Sequence, residues 1–387
     1  MKLLFFISSS GGNAAGGHYN SLHQVTLEMA KTNEVKIVML GKVLSPVIKD
    51  NPYLFKHFVL GHSIKDIFSF NKQIKDLFKT YIPDVIHCFD TNSLNRSLLS
   101  TAINSIPIVI NKCGGPNPIK DNYQHADATI VFSRENQEWY LNSRYYKNDS
   151  IFLIPNRVRA LDLLPESLQQ EKANPNKITF VRVSRLGGAY EMTLLQTFNL
   201  LEELSLTLGV ELFVIGRIQD KDRFNNLVKE GEQKNFNITY ITDERAAQGS
   251  SFLYLADFVV GTGRSFMEAT SLGIPTLTPA QNSDIPILVN AKNVEQFLAT
   301  NFSERNIAKK NDKKTTLRII KELIVDKSEY AKQQKETKFF FEEYFGTEKI
   351  NQKYTSVYKY ATSKSCSKIN LFRKNFLYIL KFIIKGN

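Results

Sequence analysis

The chain is predicted to be an α/β protein of two domains, each built on a parallel sheet. Strand-length apolar runs alternate with segments of helical apolar spacing through both halves, which is the pattern of parallel strands joined by crossover helices. The first strand of each half runs into a glycine-containing loop ahead of a helix, and ligands of such sheets sit at the carboxyl edge of the strands. At 387 residues the chain has room for two cores, at about 150 residues per domain.

Residues 1–160 form the first expected domain. Lys2 to Ser8 reads as a buried strand; its apolar run ends after Ile7 and meets glycines directly, which suits a strand better than a signal peptide. Ser9 to Gly17 is a small-residue loop, and His18 to Lys31 has helical spacing through Leu22, Val25 and Met29. Gly16 and Gly17 sit where unpaired helix N–H groups can meet a phosphate, yet the loop lacks a Gly-Lys-Ser/Thr ending and a clean dinucleotide fingerprint. A plain connecting loop fits it equally well, and His18 suits either the ligand edge or a solvated helix start. Val35 to Leu40 is the next strand. Asp84 to Phe89 is another, presenting His87 and Asp90 at its end, and Ile106 to Ile110 leads into the glycines Gly114 and Gly115. Cys113 beside them lacks the histidine and asparagine pairing of a nucleophile. Ala126 to Leu141 supplies a last strand and a helix capped by Ser133. Ser150 to Val158 crosses to the second domain, and the polar run Leu164 to Lys177 is the linker candidate.

The second expected domain, residues 161–345, opens with ITFVRVSRLGG, Ile178 to Gly188, read as a strand that ends in Arg185 beside Gly187 and Gly188. An arginine at such a strand end can bind a diphosphate through two hydrogen bonds. Glu211 to Ile215 is a strand followed by Gly216. Asp220 and Asp222 have the form of a metal-binding pair, but acids at a helix start are favoured by its dipole, so they are read as capping and no metal is assigned. After the strand Leu255 to Val260 comes the most informative stretch, GTGRSFMEATSLGIP, Gly261 to Pro275. Gly261 and Gly263 can take positive φ, and the N–H groups from Arg264 through Ser265 to Phe266 open a helix whose first turn suits a phosphate. Glu268, inside that helix, can accept two hydrogen bonds from a diol such as ribose. Asn306 to Tyr344 is helical and amphipathic and is expected to pack back toward the first domain.

The net charge of +12 is concentrated in the last segment, residues 346–387: Lys349 to Asn387 holds nine basic residues and no acidic one. Its apolar set Leu371, Phe372, Phe376, Leu380, Phe382 and Ile383 falls roughly on one helical side, flanked by Arg373, Lys374 and Lys381. This pattern over 368–385 fits the inner face of a membrane better than nucleic acid, although a core helix would also be apolar. No stretch reaches the roughly 18 apolar residues of a membrane span. Cys88, Cys113 and Cys366 are odd in number and widely spaced, so neither a disulfide framework nor a zinc site is indicated. The expected location is cytoplasmic, peripheral on the membrane.

The segment GTGRSFMEATSLGIPTL resembles the nucleotide-sugar segment of the retaining glycosyltransferases of family four, whose GT-B fold sets two Rossmann-like domains facing each other. In that family the segment carries two glutamates with seven residues between them. The second falls on Glu268 and the first on Val260, making this chain a one-glutamate variant. Of the family's two histidines separated by one residue, His87 matches the first and Phe89 replaces the second. Arg185 matches the family's arginine and Tyr190 stands at its lysine, leaving Arg264 as the second cation. The resemblance implies transfer of a sugar from a nucleoside diphosphate, UDP first among them, to a hydroxyl with retention and without metal or other cofactor. In it Glu268 holds the ribose, and Arg185, Arg264 and the helix starts at Gly16–Gly17 and Gly261–Phe266 offset the diphosphate, with Gly216 also on the donor side. His18, His87, Asp90 and Gly114 lie on the acceptor or sugar side. A saccharide or lipid-linked acceptor, as in bacterial capsule, O-antigen or exopolysaccharide assembly, would suit the basic apolar tail. Two other readings remain: a non-catalytic nucleotide-sugar-binding subunit, suggested by Val260, Phe89 and Tyr190, and a GT-B sugar-nucleotide epimerase.

Overall fold

The computed structural model describes residues 1–9, 14, 16–61, 63–119, 123–162, 177–364 and 367–384. The linker candidate, apart from Lys177, and Cys366 lie outside the described residues. The chain divides into two compact units, Met1–Pro155 with Thr347–Asn387, and Asn156–Gly346.

The first unit is a seven-stranded parallel sheet in the order β3-β2-β1-β4-β5-β6-β7. Its strands are β1 (Lys2–Ser8), β2 (Glu34–Leu40), β3 (Leu54–Phe58), β4 (Val85–Cys88), β5 (Ile108–Lys112), β6 (Ala128–Val131) and β7 (Ile151–Leu153). Between them run α1 (Gly17–Met29), α2 (Pro46–Lys49), α3 (Ile64–Phe78), α4 (Thr91–Leu99) and α5 (Arg134–Leu141). β1 is apolar at every position from Leu3 to Ile7 because helices cover both faces of a parallel sheet. Leu3, Phe5 and Ile7 point to one core and Leu4 and Phe6 to the other, as the two-residue period of a strand requires.

The second unit has six strands in the order β10-β9-β8-β11-β12-β13. They are β8 (Ile178–Val183), β9 (Val210–Ile215), β10 (Asn237–Ile241), β11 (Phe258–Val260), β12 (Thr276–Thr278) and β13 (Ile287–Leu288), with only β13 antiparallel to its neighbour. The helices are α6 (Glu191–Ser205), α7 (Lys221–Glu232), α8 (Gly263–Ser271), α9 (Val294–Leu298), α10 (Asp312–Val325) and α11 (Lys327–Phe340). Ile320 and Leu323 of α10 pack in the core with Phe180 and Val210. The helical region 306–344 is therefore part of the second unit.

The helices that do return to the first unit are α12 (Ile350–Ser363) and α13 (Lys368–Ile384). Residues 346–387 are thus not a separate tail. Tyr354, Val357 and Tyr358 of α12 enter one core, and Leu371 and Ile379 of α13 enter the other beside Leu94 and Leu98 of α4. The single apolar side expected for α13 divides in two: Leu371 and Phe382 are buried, whereas Phe376 and Leu380 are exposed, together with Ile369, Leu377 and Ile384. Asn375, fully buried, accepts from His125 N at 2.8 Å and donates to His125 O at 2.9 Å. Lys368 Nζ donates to the carbonyl of Ser100, at the end of α4.

Replacing Asn375 by Ala removes both of its hydrogen bonds to the buried main chain of His125, and should lower the stability of the first unit by about 3 kcal/mol. Chemical denaturation measures this, and a loss near zero would mean that α13 is not docked.

Candidate functional site

The residues singled out in the second unit meet at the carboxyl edge of β9, β8 and β11. β8 and β11 pair in parallel with Arg182 opposite Val260, so the loop carrying Arg185 and the loop carrying Gly261 leave the sheet side by side. Close packing demands glycine at several places on this edge, Gly216 and Gly261 among them. A Cβ on Gly216 would lie 1.6 Å from Ser184 O, and one on Gly261 would lie 2.8 Å from the backbone of Phe266. Only Gly263, at φ +50°, has the left-handed backbone expected of both Gly261 and Gly263.

Glu268 lies in the second turn of α8 and is 3% exposed. One carboxylate oxygen accepts from Arg264 Nε and the other from Ser250 Oγ, both at 2.5 Å. The Arg264 pair joins residues four apart on one helix face. Each carboxylate oxygen thus has one donor within the protein. The N–H of Gly263 is already spent on Phe302 O at 3.1 Å and that of Ser265 on the Thr262 side chain in a capping box, whereas an α-helix leaves the first-turn N–H of Arg264 without a helical acceptor. Ser265 Oγ is turned back to the backbone of Thr262. Phe266 is fully buried and stacked on Phe302, with ring centroids 4.1 Å apart, so any contribution to a donor comes from its main chain alone.

Arg185 is exposed at the end of β8. Its guanidinium lies 4.6 Å from the Tyr190 ring centroid and donates to the Tyr190 hydroxyl. The residue at the expected lysine place thus orients an arginine instead of adding a charge. Asp220 caps α7, accepting from Arg223 N at 3.1 Å.

In the first unit the structure corrects two assignments. His87 is fully buried within β4, 2.9 Å from the Tyr358 hydroxyl and 3.0 Å from Asn111 Oδ1. Its ring also packs against Phe5 and Phe89, and burial pushes its pKa down to about 3, so it is a neutral core residue out of reach of a sugar. Asp90 is a tie between strand and helix: it caps α4 by accepting from Ser93 N at 2.8 Å and accepts from Ser8 N at 2.6 Å. Desolvation raises its pKa, against the pull of those donors.

The other first-unit residues stay near the carboxyl edge of β1 and β5. Gly16 is the N-cap of α1, Gly16 and Gly17 are exposed, and half-buried His18 has its pKa lowered by burial. Gly114 and Gly115 take φ +61° and +77°. Burial drives the thiol pKa of Cys113 upward, the opposite of an activated nucleophile.

Two buried cations were overlooked. Lys112, ending β5, donates to Gly114 O at 2.8 Å, Pro116 O at 3.1 Å and Asn136 Oδ1 at 3.3 Å, so it holds the glycine loop. Arg182, inside β8, is fully buried. The signal for both is a cation within an otherwise apolar strand.

No family model matches the chain, and no curated protein does. Among solved structures the chain is similar to a glycosyltransferase from Rickettsia africae at 14% identity, with 94% of this chain and 99% of that one covered and a TM-score of 0.68. It is also similar to Anabaena HepE, solved with UDP and glucose, at 14% identity, 93% and 99% coverage and a TM-score of 0.62. A UDP-N-acetylglucosamine 2-epimerase assigned in Listeria monocytogenes aligns at 11% identity over 95% and 98%, with a TM-score of 0.61. The two Rossmann-like sheets have the GT-B fold.

His87 yields a pH prediction. The folded pKa lies near 3, below the ordinary 6.5, so below 6.5 the unfolded chain takes up a proton that the folded chain refuses. Stability is present above that value and lost as pH falls toward 3, by up to about 1.4 kcal/mol per pH unit. His125, with a pKa of about 4, acts in the same direction. In denaturation midpoints from pH 7 to 4, His87→Phe should show a shallower acid loss than wild type; an equal slope would mean that His87 protonates in the folded chain.

Proposed function

We propose that the chain is a glycosyltransferase of the retaining, metal-independent kind, moving a sugar from a nucleoside diphosphate, UDP first, to a hydroxyl acceptor. The observation that carries this reading is Glu268, 3% exposed and set in α8 behind the Gly263–Arg264 turn at the end of β11. Donor entry draws Arg264 from Glu268 to the diphosphate, and the freed carboxylate oxygen accepts a ribose hydroxyl. The bond from sugar C1 to the phosphate oxygen breaks with Arg185, Arg264 and the α8 N-terminus stabilising the leaving charge. The acceptor oxygen bonds C1 on the same face, and its proton passes to the departing phosphate oxygen. Gly16 and Gly17 leave room for close approach of the donor, Gly216 and Gly261 keep the loops of their edge together, and His18 and Gly114 belong to the acceptor side. The solved relative holding UDP and glucose supports the donor class.

The 2-epimerase likeness supports a second reading on the same fold. A panel of UDP-, GDP- and ADP-sugars, supplied with membrane extract, separates the readings. Release of nucleoside diphosphate, with the anomeric configuration of the product read by NMR, marks a retaining transferase. A changed sugar still attached to nucleotide marks an epimerase, and binding without either marks a non-catalytic subunit. Arg185→Ala should lower kcat by about 100-fold, because leaving-group charge develops in the transition state. Glu268→Ala should chiefly raise the donor KM, by about tenfold, because the ribose contact is made in ground and transition states alike.

The acceptor is proposed to be lipid-linked or a saccharide of bacterial surface polysaccharide, with the protein lying on the inner membrane face. The support is the outward side of α13, where Ile369, Phe376, Leu377, Leu380 and Ile384 are exposed among Arg373, Lys374 and Lys381. Among the described residues no helix is long and apolar enough to cross a membrane. Because α13 also builds the core, point changes are the suitable probe. The triple variant Phe376→Ser, Leu377→Ser, Leu380→Ser should lose sedimentation with anionic vesicles while keeping its thermal midpoint; unchanged sedimentation would exclude this surface.

A further inference from the structure

Arg182 has no part in the roles assigned so far. Its guanidinium donates to Val260 O at 3.2 Å and to Thr193 Oγ1 at 2.6 Å, while Nε is buried without a partner. Among the described residues no carboxylate is hydrogen-bonded to it. The acid that acts on it from a distance is Glu304, which is exposed and 3.5 Å from Arg305. Burial brings its pKa down to about 10. A guanidinium enclosed with neutral partners is costly, and an apolar side chain of similar volume is commonly as stable or more so.

Its surroundings indicate where a counter-charge can arrive. Val260, which accepts from Arg182, is the last residue of β11, and the first turn of α8 begins within four residues of it. Arg185 follows Arg182 by three residues, so their Cα atoms lie at most roughly 10 Å apart on the way to the same edge. The two arginines are also connected through Thr193 and the two ends of Tyr190, its main-chain carbonyl and its hydroxyl. Arg182 donates to Thr193 Oγ1, Thr193 Oγ1 donates to Tyr190 O at 2.8 Å, and the Tyr190 hydroxyl accepts from Arg185. A lone structural arginine needs no such link to an exposed cation.

We propose that Arg182 is a positioning residue for the bound diphosphate: its buried charge has the diphosphate as counterion, and through Thr193 and Tyr190 it sets the Arg185 guanidinium. This rests on the nucleoside-diphosphate reading of the same edge.

The test uses the full chain, wild type, Arg182→Gln and Arg182→Lys, with whichever of UDP, GDP and ADP binds wild type most tightly, together with the matching monophosphate and nucleoside. Affinities come from calorimetry or ligand-detected NMR, and the ligand-free thermal midpoint is recorded for each protein. For Arg182→Gln the diphosphate should bind about tenfold more weakly, the monophosphate less so and the nucleoside as before, because the loss scales with ligand charge. Its ligand-free midpoint should be unchanged or higher, and Arg182→Lys should keep diphosphate affinity within about threefold. Unchanged diphosphate affinity in Arg182→Gln, equal weakening of nucleoside and diphosphate, or failure of Arg182→Gln to fold would each overturn the proposal. Wild type binding none of the three diphosphates would instead overturn the donor reading, and this inference with it.

Discussion

The candidate site depends on the parallel register of β8 and β11. Arg182 opposite Val260 means that the chain leaves both strands at the same height, so Arg185 and the Gly261–Arg264 turn emerge as neighbours. The register is held from below by apolar packing, with Phe180 stacked on Phe258 at 5.0 Å, and from above by main-chain contacts that only glycine permits. A side chain at Gly216 or Gly261 would force the loops apart before any ligand arrived. The chemistry of the site is thus a consequence of how closely main chain can approach at the edge of a sheet.

Electrostatics on that edge are arranged around partners already present. Arg264 and Ser250 occupy Glu268, and Tyr190 occupies Arg185, so each charged group has a defined rotamer in the ligand-free protein. Lys112 plays a comparable part in the first unit, where three neutral oxygens satisfy its ammonium and fix the loop of Gly114 and Gly115.

The first unit shows how a residue type that suggests chemistry can become architecture. His87 stands at the place where the resemblance sets a sugar contact, yet α12 brings Tyr358 over it and β5 brings Asn111 beneath it, and the ring is sealed. Tyr358 is 271 positions away in the chain, so nothing local announces it. The same holds for α13, whose apolar residues serve two surfaces because α4 takes Leu371, Ile379 and Phe382 while Phe376, Leu377 and Leu380 remain outside.

Short-range information was sufficient for most of the strands and for the caps at Ser133 and Asp220. These follow from apolar period and from side chains bonding to their own main chain, both of which act within a few residues. It was sufficient as well to single out Glu268, Arg264 and Arg185 as charges at strand and helix ends. Burial was decided by residues distant in the chain. Which histidine is enclosed, which face of α13 is covered, and whether the cation inside β8 meets a carboxylate or only neutral oxygens depend on elements that come together only on folding, since dielectric and access belong to packing.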